Sequence, residues 1–271
     1  MSFLDQVEKL RSERGTSLCV GLDPDLDRLP EHVPRSPEGV YRFLAEIIEA
    51  TGDLACAYKP NLAFYGALGI EGFSILGRVI RLAKEEAPVI LDGKFGDIGN
   101  TARSYAEMAF DTLLSDAVTL SPYLGADSIV PFIDRRDAFA FILGITSNDG
   151  SADVQQKKLD DGNLLFESLA QRFEERFPQE NWGWVAGATK LGELEALREK
   201  SPDRLLLIPG VGAQGGDLAG AITASLSSSG KPMALINASR SILYASSGRD
   251  YKETSRDAAM ALVREMRAAT L

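Results

Sequence analysis

Val89-Ile90-Leu91-Asp92-Gly93-Lys94-Phe95 is a short apolar run that ends in charge, and the next residues, GDIGNT (96–101), lead into a stretch of helical periodicity. A buried strand of this length followed by a helix is the repeating unit of a parallel α/β fold. Working outward, the same alternation recurs along the chain. Further apolar runs lie at Ser17–Asp23, Leu54–Pro60, Ala117–Ser121, Ala138–Thr146, Gly183–Ala188, Leu205–Gly210 and Met233–Ala238, which makes eight with the first. Between and after them the spacing predicts amphipathic helices over Pro37–Ala50, Ile70–Glu86, Thr101–Leu114, Ser128–Ile133, Asn163–Phe177, Leu191–Lys200, Asp217–Ser225 and Lys252–Ala269. Near-continuous apolar runs fit parallel strands covered on both faces. Eight such strand–helix units with no low-complexity linker describe one α/β domain over residues 1–271, a single (β/α)8 TIM barrel. A doubly wound open sheet is the competing architecture. The polar segment Ser147–Lys158 and the charged region around Gln179–Trp182 flank the fifth long helix, so residues 147–182 read as an enlarged loop region.

Composition narrows the chemistry. The 271 residues carry 29 Lys and Arg against 39 Asp and Glu, a net charge of −10, with 45% apolar content. A chain this acidic, with no basic run, is not built to hold a phosphate backbone or an anionic membrane, so neither a nucleic-acid nor a membrane partner is expected. An anionic small-molecule substrate must then be met by a local cationic site. Cys19 and Cys56 both lie in apolar runs with neither zinc-site nor disulfide spacing, and read as buried thiols in a reducing compartment. The start, MSFLDQVEKLRSERG, has no apolar core of signal-peptide length, which places the expected location in the cytoplasm. His32 is the only histidine and sits in a Pro-rich turn, which removes Ser-His-Asp triads and multi-His metal sites from consideration.

A barrel's reactive groups gather at the C-terminal ends of its strands. Here those ends hold Asp23, Lys59, Asp92 with Lys94, Ser147, the glycine-rich PGVGAQGG (209–216) and the NASRS segment (237–241). Asp92 and Lys94 are two apart, so on a regular strand both point to one face. Asp97 follows after Gly96, and Lys59 arrives from the neighbouring strand. Together they can form an alternating row of ammonium and carboxylate groups that favours the ionised forms. The plain alternative is a set of salt bridges closing the barrel top. Charges are costly to bury for stability alone, which weighs against it. After strands seven and eight, the glycine-rich loop beginning at Pro209, with Gln214 as a neutral donor and Arg240 as a bidentate partner, has the make-up of a phosphate grip.

VGLDPD, YKPN, LDGKFGDIGNTA, the serine of TSN, PGVGAQGGD and NASRSILYA occur in this order and together resemble the orotidine 5′-phosphate decarboxylase family, in its longer bacterial-type branch. D-x-K-x-x-D-I-x-N-T is the most specific piece, and the likeness spans essentially the whole chain. The resemblance implies decarboxylation of orotidine 5′-monophosphate to UMP and CO₂ in pyrimidine biosynthesis, with no metal and no organic cofactor. It implies that Lys94 protonates C6 of the pyrimidine, that Asp92 lies beside the leaving carboxylate, and that Lys59 and Asp97 complete the charged row. Asp23 and Lys59 are then expected at the ribose hydroxyls, Ser147 at the pyrimidine edge, and Gln214 and Arg240 at the phosphate, with Pro209 and the loop after it as a lid. Asp97 and Thr101 are expected to cross into a partner's site, making the working unit a homodimer.

Three other readings compete. A Mg²⁺-dependent phosphosugar decarboxylase on the same barrel shares D-x-K-x-x-D, but an ammonium at Lys59 is unfavourable beside a divalent cation. A Schiff-base aldolase using Lys59 or Lys94 needs a neutral amine, which flanking carboxylates disfavour. A non-catalytic nucleotide-binding barrel is expected to have lost a reacting group, and Lys59, Asp92, Lys94 and Asp97 are all present.

Overall fold

The computed structural model describes residues 1–211 and 216–269. Among these, eight parallel strands form one sheet: β1 (Leu18–Gly21), β2 (Ala57–Lys59), β3 (Ile90–Phe95), β4 (Ala117–Leu120), β5 (Phe139–Ile145), β6 (Trp182–Ala186), β7 (Leu206–Pro209) and β8 (Ala234–Ala238). Each falls on one of the apolar runs, and the neighbour order is β2-β1-β8-β7-β6-β5-β4-β3. The two ends of that order meet through bridges from Tyr58 to Val89 and from Asn61 to Asp92. Backbone bonds from Tyr58 to Pro88 (3.0 Å) and from Asp92 to Pro60 (2.9 Å) complete the seam, so the sheet closes into a barrel rather than opening into a doubly wound sheet.

The helices are α1 (Phe3–Arg14), α2 (Pro37–Thr51), α3 (Leu62–Gly66), α4 (Ile70–Ala83), α5 (Gly99–Glu107), α6 (Val130–Ile133), α7 (Ser151–Val154), α8 (Leu165–Arg176), α9 (Leu191–Lys200), α10 (Leu218–Ala224), α11 (Arg240–Leu243) and α12 (Tyr251–Ala269). The start of α2 shows how sequence sets a boundary. Ser36 caps it by accepting from the Gly39 amide at 3.2 Å, and Pro37 takes the first turn, where its missing N–H is no loss. The helix expected over Thr101–Leu114 is α5 followed by one π-type turn at Met108–Thr112. Helices α1, α3, α7 and α11 were not expected; the last three are five residues or fewer, too short for periodicity to register.

Two apolar layers follow from strand parity. Leu18, Val20, Tyr58, Leu91, Val118, Ala140, Ile142, Trp184, Leu206 and Ile236 face outward and pack under the helices. Cys19, Ala57, Ile90, Ala117, Phe139, Phe141, Val185, Leu207 and Leu235 face inward and fill the barrel. Helix α1 closes the N-terminal end, where Phe3 stacks on Phe139 with ring centroids 4.9 Å apart. Fully burying a side chain of that size stabilises by about 1.5–3 kcal/mol. The segment after β5 is pinned back to it, since Gln155 Oε1 accepts from the Thr146 amide at 2.8 Å. Trp182 belongs to β6, so the enlarged region stops short of it. Among the described residues no helix is long and apolar enough to cross a membrane.

Candidate active site

The alternation that fills the barrel also builds its mouth. Two residues beyond inward-facing Ala57, Ile90, Ala117, Leu207 and Leu235 come Lys59, Asp92, Thr119, Pro209 and Asn237. All five line a cavity of about 220 Å³ at the C-terminal end of the strands, together with Asp23, Asn61, Phe64, Lys94, Ser239 and Arg240.

Asp92 is the hub. Its Oδ2 accepts from Lys59 Nζ and from Asn61 Nδ2, both at 3.1 Å. Its Oδ1 accepts from Lys94 Nζ and from the Thr119 hydroxyl, both at 2.7 Å. Burial works against the carboxylate, but Lys59, then Lys94 and the hydroxyl, hold Asp92 well below the usual carboxylate range. Lys59 is 5% exposed, and burial likewise disfavours its ammonium. Asp23 and Asp92 outweigh that term and keep it protonated above the usual lysine range. Asp23 also accepts from the Asn61 amide at 3.2 Å, which ties β1 to the end of β2. The result is an Asp23–Lys59–Asp92–Lys94 row in which the two buried charges, Lys59 and Asp92, each have opposite neighbours.

Lys94 reaches Asp92 as the spacing requires, but not through a regular strand. Leu91 pairs with Val118 and Phe95 with Leu120, so Asp92, Gly93 and Lys94 stand opposite Thr119 alone. Lys94 occupies the left-handed region at φ 45°, and its amide donates to Thr119 Oγ1 at 2.9 Å. The bulge turns the Lys94 side chain over the mouth, where it is 47% exposed, while Asp92 stays buried.

Arg240 lines the same cavity and forms no ion pair among the described residues. Next to it, Asn237 Oδ1 and Ser239 Oγ are buried without a partner among the described residues, so this wall carries unused hydrogen-bonding capacity. Gly21 permits the close approach of β8: a Cβ there would lie 2.5 Å from that of Ser239. Past Pro209, Gly210 at φ 101° turns the chain away, and Val211 bridges to Gly216, pinching the base of the following loop. Gln214, expected at the phosphate, lies outside the described residues.

The remaining expected residues are not in this cavity. Ser147 lines an adjoining depression with Asn148, Asp149, Thr189 and Lys190. Asp97 accepts from its own Ile98 amide at 2.8 Å and makes no contact with Lys94 or Lys59. Thr101 is exposed at the start of α5. His32 packs near Tyr251, away from the mouth. Asn61, Thr119 and Asn237 also line the mouth, with no role expected for them individually from sequence. Parity would have found the last two, since each follows an inward-facing apolar residue by two positions. Among the described residues no cluster of three or more His, Cys, Asp or Glu side chains could hold a metal ion.

Residues 16–253 match the Orotidine 5′-phosphate decarboxylase / HUMPS family. The chain is 47% identical over 262 residues to an orotidine 5′-phosphate decarboxylase of Herpetosiphon aurantiacus, covering 96% of each. Its structure is similar to that of a Leishmania donovani OMP decarboxylase, with a TM-score of 0.88, 36% identity, and coverage of 100% of this chain and 99% of that one. It is also similar to Leishmania donovani UMP synthase, with a TM-score of 0.89 and 38% identity. That match covers 99% of this chain but 56% of the synthase, so this chain corresponds to about half of that protein.

Proposed function

The chain belongs to the Orotidine 5′-phosphate decarboxylase / HUMPS family, and from that premise we propose how its own residues decarboxylate orotidine 5′-monophosphate. The reaction releases CO₂ and gives UMP, a step of pyrimidine biosynthesis. Lys94 is the acid. The C6–carboxylate bond breaks, CO₂ departs, and the electron pair left on C6 takes a proton from the Lys94 ammonium, which recovers a proton from solvent. A preplaced cation in a site that excludes water stabilises developing negative charge more than it could in solution. The observation that carries this reading is the row itself: a buried carboxylate held between two ammonium groups, in one cavity with Arg240.

Asp92 serves chiefly to hold Lys94 and Lys59. A bare carboxylate 4 Å from the substrate carboxylate would repel it by about 4 kcal/mol at an effective dielectric of 20. Asp92 is not bare. Its four donors, two of them cationic, cancel most of that field before substrate arrives. Stabilisation of the carbanion by Lys94 therefore outweighs ground-state repulsion. The same ammonium groups occupy the carboxylate that a divalent cation would need, which disfavours the Mg²⁺-dependent phosphosugar reading.

Asp23 and Lys59 hold the ribose hydroxyls, Arg240 and Gln214 grip the phosphate, and the loop from Pro209 closes over it. Ser147, in the adjoining depression, serves the pyrimidine edge. Asp97 and Thr101 act in the site of a second copy, making a homodimer. Support comes from Asp97 lying outside its own cavity and from the exposure of Ile98 and Tyr105 nearby in sequence and of Tyr123 and Leu124 in the turn after β4. A cytoplasmic location is supported by Cys19 and Cys56, both free and buried.

The test is loss of the orotate-ring absorbance when purified protein meets orotidine 5′-monophosphate in EDTA. Full activity is expected, falling by about 10²–10⁴ in Lys94→Ala with UMP binding retained. Activity that vanishes in EDTA, or a Lys94→Ala variant near wild type, would overturn the reading.

A further inference from the structure

Thr119 stands alone opposite the three-residue bulge that carries Asp92 and Lys94. It is 2% exposed, on β4, and its hydroxyl makes two bonds of fixed direction. The Lys94 amide can only donate, so Thr119 Oγ1 must accept there, at 2.9 Å. Its single proton is then left for Asp92 Oδ1, at 2.7 Å. The same Oδ1 receives Lys94 Nζ at 2.7 Å. The three contacts close a ring: Lys94 amide to Thr119 hydroxyl, hydroxyl to Asp92 carboxylate, and Lys94 ammonium back to that carboxylate. In a regular parallel ladder a backbone carbonyl would take the amide proton; here, where β3 bulges away from β4, the Thr119 side chain takes it.

We infer that Thr119 is a positioning residue for the decarboxylation, which fixes the left-handed backbone of Lys94 and the orientation of Asp92 through one hydroxyl. The inference rests on the functional reading of Lys94 given above. A left-handed conformation is unfavourable for a lysine and persists only where its surroundings over-determine it. The amide bond to Thr119 is what holds it in place among the described residues. Without the hydroxyl, the Lys94 amide loses its partner, the backbone can relax out of the left-handed region, and the ammonium swings away from the position set for C6. Asp92 at the same time loses one of the two donors on Oδ1. The groups facing that carboxylate are then the Lys59 and Lys94 ammoniums and the Asn61 amide, with Asp23 behind Lys59.

Thr119→Val keeps the side-chain shape and removes the hydroxyl, whereas Thr119→Ser keeps the hydroxyl and removes a methyl. Thr119→Ala is the substitute if the valine variant does not fold. The measurements are kcat and KM for orotidine 5′-monophosphate, inhibition by UMP, the pH profile of kcat and Tm. Thr119→Val or Thr119→Ala should lose about 10- to 100-fold in kcat, the loss expected for removing a hydrogen bond to a charged group. KM and UMP inhibition should stay within about threefold, and the acid limb of kcat should move to higher pH. Thr119→Ser should restore kcat to within about threefold of wild type.

A merely structural role would lower Tm in all variants without separating kcat from KM and without moving the pH profile. A folded variant lacking the hydroxyl that turns over within threefold of wild type, or a serine variant as impaired as valine or alanine, overturns the inference while the decarboxylase reading stands. A wild-type protein unable to decarboxylate the substrate removes both.

Discussion

Lys59→Met and Asp97→Ala chains, each inactive alone, should together regain about a quarter of wild-type turnover when mixed as a twofold dimer. The two residues occupy different places. Lys59 is 5% exposed in its own cavity and 3.1 Å from Asp92. Asp97 is outside that cavity and bonded to its own backbone. If Asp97 completes the neighbour's row, each site draws Lys59 from one chain and Asp97 from the other. Methionine keeps most of the lysine stem, so a cavity cost of about 2–5 kcal/mol is not added to the lost pairing with Asp92, which would confuse inactivity with unfolding. Removing one preorganised electrostatic group costs about 10²–10³ in rate, so each variant alone should retain less than about 1%. In a mixed dimer one site carries both defects and the other carries neither. Random reassortment of equal amounts makes about half of the dimers mixed, each with one good site of two, which gives about a quarter. That is at least about 25-fold above background. The assay is co-refolding from denaturant followed by turnover of orotidine 5′-monophosphate, with tagged chains reporting exchange. No recovery despite demonstrated exchange would refute the shared site and leave Asp97 working within its own chain.

Arg240→Ala should raise KM for the phosphorylated substrate by roughly 10- to 100-fold, the loss of one or two charge-assisted bonds, and phosphite dianion should then raise turnover of unphosphorylated orotidine. Equal efficiency of the wild type on both substrates would remove the case for a phosphate grip. Asp92→Asn should be about 3–5 kcal/mol less stable than wild type at neutral pH, because it leaves Lys59 buried without its main partner. The folded Asp92 pKa is depressed, so its stabilisation is fully present above the unfolded value near 4 and is lost as pH falls below it. Urea denaturation should therefore give a difference between the two proteins that is flat from about pH 7 to 5 and narrows only below about pH 4. A difference that narrows already near pH 6 would mean that Asp92 is not held by the two ammonium groups.

The strands, the long helices and the charged residues at the barrel mouth are legible in the chain alone, because each depends on local periodicity. Apolar runs of five to nine residues became β1 to β8, strands of three to seven. Strand parity carried Asp92 and Lys59 inward with no further information. Tertiary structure decided what depends on a neighbour across the sheet. The spacing of Asp92 and Lys94 suggests two residues on one face of a flat strand, yet they meet through a bulge, with Lys94 at φ 45°. That conformation exists because Thr119, 25 positions away in sequence, accepts the Lys94 amide. Helix α1 has only Phe3 and Val7 buried, too thin a stripe to read as a core helix, and it forms one because the open end of the barrel gives Phe3 a ring to stack on. Asn61 lies past the end of β2 and looks like any polar loop residue until the fold places its side-chain amide 3.1 Å from Asp92 Oδ2. Local pattern fixes which way a side chain points, whereas what it meets there depends on contacts between residues far apart in sequence, which only the closed barrel brings together.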